Sequence, residues 1–150
     1  MGINISPLNV RRSILIQAPS RRIWKEFESL PTFAAWFGKG HQLHQFEPKL
    51  GGQVDLSIEA NDSRRHFGGP IVIWEPEQEV TFECNWEEPH SWPVPTFFTI
   101  RLTPLYDATT VEIFHHGFER FGINAADTLE AYEEGWDVKH LKALREIVER

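Results

Sequence analysis

The feature that most constrains this chain is the alternation of apolar and polar residues that fills its middle, from about residue 43 to residue 120. Short turns separate the successive segments of this run: Gly51-Gly52, Asn61-Asp62-Ser63, Pro76-Glu77-Gln78 and Tyr106-Asp107-Ala108. A period of two with short turns is typical of consecutive strands that pair as antiparallel neighbours. The middle of the chain is therefore predicted to be an antiparallel sheet.

The segments before this run carry the signals of one strand and two short helices. Residues 11–19 are rich in β-branched side chains and stop at a proline, which predicts a strand. Ser20 is a favoured capping residue and precedes apolar residues at helical spacing over 20–30. A second short helix is predicted over 31–38, because it begins with a proline and ends with Gly38.

The last part of the chain predicts a long helix. Asn124 and Asp127 have the spacing of an N-terminal capping pair, and apolar residues follow at helical spacing, so we expect one helix over about 125–149. An open antiparallel sheet has to cover its apolar face, and only this predicted helix is long enough to do so. The predicted fold class is α+β, with a curved antiparallel sheet wrapped around a long C-terminal helix.

Length and charge narrow the function classes. At 150 residues the chain has the size of one domain, so we expect a single domain over 1–150 with residues 1–10 as an N-terminal extension. The net charge of −7 argues against nucleic acids and anionic membranes as partners. No apolar run approaches a membrane span, and a lone cysteine, Cys84, excludes an internal disulfide. We therefore expect a cytoplasmic protein.

Alternation also predicts which side chains face the interior. The apolar residues of four strands fall on one face, which should be the concave one: Val54, Leu56, Ile58, Val80, Phe82, Cys84, Trp86, Phe98, Ile100, Leu102, Val111, Ile113 and His115. Between residues 64 and 75 both faces are apolar, so the inward set of that strand stays open. One broad face of the terminal helix mixes apolar and ionisable side chains: Leu129, Tyr132, Glu133, Trp136, Asp137, His140, Leu144, Ile147 and Val148.

Five fragments in a fixed order give the chain a family resemblance. They are PTFAAWFG (31–38), the Gly51-Gly52 pair before a strand, Gly69 leading into PIVIWEP, TTVEIFHHGF (109–118) and GWDVKHLKAL (135–144). The chain resembles the START-like (SRPBCC) superfamily, and within it the homologues of the activator of the heat-shock-protein-ninety ATPase. The resemblance implies a helix-grip fold, in which a curved antiparallel sheet wraps around the C-terminal helix and leaves a cavity between them.

The resemblance also suggests which residues line that cavity. It places Trp136 inside the grip, and the neighbouring Gly135 then permits close packing at a helix position where glycine costs about 1 kcal/mol relative to alanine. A tolerated surface glycine is the alternative. The candidate ligand-binding residues are Trp36, Leu56, Ile58, Phe82, Cys84, Trp86, Phe98, Ile100, Ile113, His115, Tyr132, Glu133, Trp136, Asp137 and His140.

The ionisable residues of the terminal helix allow two interpretations. As structural groups, Glu133 and Asp137 reach water at the rim, and His140 hydrogen-bonds a backbone carbonyl. As functional groups, all three project into the cavity, where burial shifts their pKa values and makes them an acid, a base or a ligand anchor. The sequence leaves both interpretations open.

No catalytic or metal-binding signature accompanies these residues. His115 and His116 alternate across a strand and cannot chelate one metal ion together. Cys84 has apolar neighbours, which is typical of an inert buried thiol. The chain carries no nucleophile elbow, phosphate loop, zinc-ligand spacing or dinucleotide fingerprint. We therefore predict no catalytic residue, no cofactor and no metal.

The predicted function is the binding of a hydrophobic or aromatic small molecule in the cavity between sheet and C-terminal helix. An enzyme is one alternative, because some START-like proteins are cyclases or dehydratases of polyketide-like substrates. In that case His115, Glu133, Asp137 and His140 would transfer protons. An interaction module for a chaperone ATPase is another alternative, which the family name suggests. The sequence identifies neither the ligand nor a protein partner.

Overall fold

The computed structural model describes residues 10–38, 41–60, 63–88, 91–118 and 138–150. The elements are, in chain order, the strand β1 (Val10–Ile16), the helix α1 (Ser20–Trp24), a 3-10 turn (Lys25–Phe27), the helix α2 (Leu30–Phe37), the strands β2 (Gln42–Phe46), β3 (Gln53–Ala60), β4 (Ser63–Glu75), β5 (Glu79–Trp86), β6 (Thr96–Leu105) and β7 (Ala108–His116), and the helix α3 (Lys139–Glu149). This is the predicted order: a strand, two short helices, a run of strands and a terminal helix.

The strands form one sheet in the order β1-β7-β6-β5-β4-β3-β2. Each neighbouring pair is antiparallel, as the short turns predict. Five of the six pairings join strands that follow each other in the sequence, whereas β1 pairs with the last strand, with Ile16 opposite Thr109. The strands β1 and β2 therefore occupy opposite edges of the sheet, and α1 and α2 lie in the segment that connects these edges.

A bulge in β4 explains why alternation could not assign the inward face of this strand. Ile71 lies opposite Phe82 and Ile73 lies opposite Thr81, so Val72 is an extra residue between them. Ile71 is buried, whereas the Val72 and Ile73 side chains are 38% and 37% exposed. The strand therefore changes face within its apolar run, which a strict period of two does not describe.

The two early helices form an aromatic cluster. In this cluster the ring of Phe27 contacts those of Trp24, Phe33 and Trp36, at centroid distances between 4.8 and 5.7 Å. The α2 helix begins after Ser29, whose hydroxyl accepts a hydrogen bond from the backbone N–H of Thr32. The prediction that Ser20 caps α1 is wrong. Pro19 holds the capping position and the Ser20 hydroxyl hydrogen-bonds that of Thr109, because β7 lies within its reach.

The terminal helix packs one face against the rest of the protein. Its buried residues are His140, Leu141, Leu144 and Val148, and the helix contacts α2, β1 and α1. At its end, the Glu149 carboxylate accepts a hydrogen bond from the backbone N–H of Gln17, 2.7 Å away. The predicted helix over 125–149 is thus confirmed over Lys139–Glu149. The predictions for 124–137, which include Gly135 and Trp136, lie outside the described residues.

Candidate functional site

The inner face of the sheet is a wall of aromatic rings. Phe82 and Phe98 lie side by side on β5 and β6, with ring centroids 5.4 Å apart, and both side chains are buried. Phe37, at the end of α2, packs its ring 6.4 Å from that of Phe82 and 5.5 Å from that of Phe98. Further along the wall the rings of Phe67 and Trp86 lie 4.6 Å apart. The wall thus offers π faces and ring edges to the side chains or small molecules that pack against it.

The segment before β6 covers one end of this wall through a side-chain clamp. The side-chain Oδ1 of Asn85 accepts a hydrogen bond from the backbone N–H of Trp92 at 2.7 Å. The side-chain Nδ2 of Asn85 donates one to the backbone carbonyl of Trp92 at 3.2 Å. The indole of Trp92 then lies 5.8 Å from Phe67 and 6.5 Å from Trp86. Asn85 therefore fixes the position of a third large ring at this end of the wall.

A buried histidine interrupts the apolar wall. The Nε2 atom of His115 lies 2.6 Å from the hydroxyl of Thr96, and both residues are fully buried. Rings of Phe67, Phe98 and Phe118 surround the imidazole at centroid distances of 5.9, 6.2 and 4.6 Å. Burial, with a smaller effect from the neighbouring His116 charge, lowers the pKa of His115 to about 3. At neutral pH this imidazole is uncharged and offers one donor and one acceptor.

Two further histidines meet at the end of α2. The imidazoles of His41 and His140 lie 5.4 Å apart, and both contact the ring of Phe37, at 5.3 and 5.7 Å. His140 is fully buried on α3. Burial, followed by the charges of His140 and Lys139, lowers the pKa of His41 to about 4. His41 is thus a second neutral imidazole at physiological pH.

The thiol on the inner face is not activated. Cys84 is fully buried, and this burial, with a smaller effect from Glu83, raises the pKa of its thiol well above the ordinary value. A thiol that stays protonated is a poor nucleophile and a poor metal ligand. Among the described residues, no group of three or more histidine, cysteine, aspartate or glutamate side chains is placed to hold a metal ion.

Most of the candidate residues on the sheet lie on this inner face. Buried there are Leu56, Phe82, Cys84, Phe98, Ile100, Ile113 and His115, whereas Ile58 and Trp86 are half-buried. His140 faces the same interior from α3. Trp36 is buried in the helical cluster, where its indole donates to the carbonyl of Glu26 at 3.3 Å. Tyr132, Glu133, Trp136 and Asp137 lie outside the described residues.

The structure adds residues that sequence reasoning did not select. Phe37 touches both the sheet and the two histidines, although Trp36 was the candidate from the same helix. Phe67 joins the wall from β4, the strand whose inward face alternation had left open. Thr96 adds the hydroxyl that hydrogen-bonds His115, and His41 adds an imidazole beside that of His140. Alternation on β6 would have found Thr96, because it lies two residues before Phe98.

The sequence matches a known family model over most of its length. The model is described as Activator of Hsp90 ATPase homolog 1-like protein, and it matches residues 17–149. Among curated proteins, none matches the chain in sequence. No helix in the described part of the chain is both long enough and apolar enough to cross a membrane.

Several solved structures share the fold. Protein CV1439 from Chromobacterium violaceum aligns with a TM-score of 0.70 and 21% identity, over 97% of this chain and 99% of that one. The Aha1 dimer from Colwellia psychrerythraea gives a TM-score of 0.62 and 18% identity, over 94% and 96% of the two chains. DynU16, a protein in the dynemicin biosynthetic locus, gives 0.64 and 19% identity, over 96% of this chain and 48% of its own. These likenesses confirm the helix-grip fold.

Proposed function

The chain belongs to the family of Activator of Hsp90 ATPase homolog 1-like proteins, and on this premise we propose that it binds a small hydrophobic or aromatic molecule. The binding site is the space between the inner face of the sheet and the C-terminal helix. Phe82, Phe98 and Trp86 supply ring surface, and His115 supplies a hydrogen-bonding group. A ring-lined space with a few convergent polar groups is the usual form of a small-molecule site.

The observation that carries this proposal is the pair formed by His115 and Thr96 inside the aromatic wall. Burying polar groups among rings is costly unless they are hydrogen-bonded, and a purely structural core would be served as well by apolar side chains. A ligand with one polar group and an aromatic body would match both components of this wall. The low pKa of His115, about 3, supports hydrogen bonding over acid catalysis, because the imidazole is neutral at physiological pH and its single N–H is far too weak an acid to be given up there.

Titration with N-phenyl-1-naphthylamine, a neutral apolar dye whose fluorescence rises in apolar surroundings, tests the proposal. We expect the native protein to bind about one equivalent, since the interior is the ring-lined site. Native mass spectrometry of freshly purified protein would show whether a small molecule already occupies the site.

Two neighbouring positions on β3 provide a matched pair of variants. Ile58 lies on the inner face and is half-buried, whereas Glu59 is exposed. Ile58→Trp should weaken dye binding because it fills the site, and Glu59→Trp should leave binding unchanged. Absence of dye binding by the native, folded protein would contradict the proposed function, as would equal effects of the two substitutions.

A further inference from the structure

A charged residue lies on the inner face of the sheet, where β3 ends and β4 begins. Arg65 is directly opposite Ile58, two positions along from the buried pair of Leu56 and Phe67. Directly opposed residues project from the same face, so Arg65 shares the face of Phe67. Its neighbour Arg64 projects from the other face, where it lies 2.8 Å from Glu59.

Among the described residues, Arg65 lacks the carboxylate partner that several other arginines have. In the part of the chain that the structure describes, four arginines each lie within 4 Å of a glutamate: Arg11, Arg22, Arg64 and Arg101. Arg65 takes part in none of the ion pairs found among the described residues, and its Nε atom is buried there without a hydrogen-bond partner. An arginine stays protonated, so this Nε–H is a buried donor of a cation without an acceptor. Such a group costs free energy until an acceptor arrives.

The carboxylates of β3 and of the two residues that follow β5 have other partners. Their partners are Arg64 for Glu59, the His66 imidazole for Asp55, the His66 backbone N–H for Glu87, and the Ser91 hydroxyl for Glu88. Asp55 and Glu59 also belong to the outer face of β3, because they alternate with Val54, Leu56 and Ile58. None of these groups neutralises the Arg65 guanidinium.

We propose that the ligand of this site is an amphipathic acid, whose apolar body packs along the Phe67 and Trp86 rings and whose anionic head binds Arg65. This inference rests on the proposed function, to which it adds the chemical class of the ligand. Arginine suits the role because its planar fork binds a carboxylate, sulfonate or phosphate through two parallel hydrogen bonds. The distance along β4 from Arg65 to Phe67 is about 7 Å, so one small molecule reaches both.

Two dyes that differ in one group test this assignment. The compound 8-anilino-1-naphthalenesulfonate is N-phenyl-1-naphthylamine with an added sulfonate, so the pair isolates the contribution of the anion. Dissociation constants of both dyes are measured for the wild-type protein, Arg65→Gln and Arg64→Gln. The two variants remove the same charge from adjacent positions on opposite faces of β4, and the melting temperature of each reports whether it is folded.

We expect the wild-type protein to bind the sulfonate dye more tightly than the neutral one. Arg65→Gln should weaken sulfonate binding by roughly 10- to 100-fold, the usual effect of losing a charge-assisted hydrogen bond, and leave neutral-dye binding unchanged. Arg64→Gln should change neither. Arg65→Lys, which keeps the charge but not the fork, should fall between wild type and Arg65→Gln, and it replaces Arg65→Gln if that variant does not fold.

The outcomes separate this inference from the function on which it rests. If the neutral dye binds but Arg65→Gln and Arg64→Gln affect sulfonate binding equally, the Arg65 assignment is wrong and the proposed function stands. If the neutral dye does not bind the folded wild-type protein, the proposed function itself is wrong. Decanoate that displaces the neutral dye more strongly than decanamide does, in wild type and not in Arg65→Gln, would extend the result to carboxylic acids.

Discussion

At the scale of single residues, two adjacent histidines show how the sheet assigns different environments to the same side chain. His115 points inward to Thr96, whereas His116 points outward, where its Nε2 lies 2.8 Å from the Thr99 hydroxyl. Both imidazoles use a threonine hydroxyl of β6 as partner. Only the inward imidazole lies among the rings of the candidate site, so its hydrogen bond is the one on which the proposed function rests.

Thr96→Val tests how strongly the interior depends on that hydrogen bond. The substitution preserves the shape of the side chain but removes the acceptor or donor for buried His115, so we expect a loss of about 1–3 kcal/mol in the free energy of unfolding. Denaturant titration measures it. Thr103→Val on the same strand is the control, because Thr103 is exposed and its replacement should stay within about 0.5 kcal/mol. Equal losses in the two variants would show that the buried hydroxyl of Thr96 contributes no more to stability than the exposed hydroxyl of Thr103.

At this scale, sequence reasoning succeeded where one strand alone decides the answer. The inward positions of Phe82, Phe98 and His115 follow from a period of two, and the structure finds all three buried. It could not find Phe37, because the approach of this ring to the wall depends on how α2 docks against the sheet. Arg65 was missed because the Val72 bulge obscured the face assignment of its strand.

At the scale of elements, the C-terminal helix and the sheet stabilise each other through a few buried side chains. Leu144 is fully buried in the middle of α3, while Lys142 is exposed. The sequence predicted this element well, because amphipathic spacing depends only on the helix itself. Its lateral placement against α2 and β1 depends on tertiary packing and was not predictable from the spacing.

Leu144→Ala should destabilise the protein by about 2–5 kcal/mol, because it removes buried methyl groups and leaves a cavity under the helix. The free energy of unfolding in denaturant measures the effect. Lys142→Ala provides the control on the same helix, and we expect it to change stability by no more than about 0.5 kcal/mol. A small effect of Leu144→Ala would mean that α3 contributes little to holding the fold.

Strand β4 contains a glycine that the pairing of strands requires. Gly68 has a φ of +152°, and a Cβ atom there would collide with the backbone carbonyl of Val54 on β3. Gly51, in the turn before β3, has a φ of +80° but open space around it. Both positions disfavour other residues, but only Gly68 also holds two backbones in close approach.

We therefore expect Gly68→Ala to cost more stability than Gly51→Ala. The turn variant should lose about 1–2 kcal/mol from backbone strain alone, whereas the strand variant adds a clash that has to displace β3. Thermal unfolding of the two variants side by side provides the comparison. An equal or reversed order would indicate that β3 and β4 separate easily at this point.

At the scale of the whole molecule, two histidines with lowered pKa values, His115 and His41, make stability depend on pH. The folded-state pKa values of His115 and His41 are about 3 and 4, below the ordinary value near 6.5. At a pH between these folded-state pKa values and about 6.5, the unfolded chain therefore binds more protons than the folded one. The contribution of these two histidines to the free energy of unfolding is fully present above about pH 6.5. It is lost as the pH falls toward their folded-state pKa values.

Acid titration of stability should reveal this contribution. Each of the two histidines adds a slope of up to about 1.4 kcal/mol per pH unit below pH 6.5. His115→Asn should make the curve shallower in this window, because it removes one of the two groups. Denaturant unfolding at pH 7, 6, 5 and 4 measures both curves. Parallel curves for the variant and the wild-type protein would mean that His115 has the same pKa in the folded and the unfolded protein.

The architecture of the whole molecule was largely predictable, whereas the set of residues in the proposed binding site was not. A run of strands with short turns permits few arrangements, and the observed sheet is the antiparallel one predicted. The site depends on Phe37, Trp92 and Arg65, which reach it from a helix end, a clamped loop and a bulged strand. Their positions follow from contacts between distant segments, which no local pattern encodes.

The pairing of the first strand with the last has a consequence for how the protein forms on the ribosome. β1 is synthesised before its partner β7, which follows roughly 90 to 105 residues later. At about 5–20 residues per second, β1 waits roughly 5–20 s for its partner. During that interval its apolar residues, Ile14 and Ile16, have no strand to pair with. The nascent chain therefore completes its sheet only after translation of β7. Until then β1 is an unpaired apolar segment that a chaperone can bind.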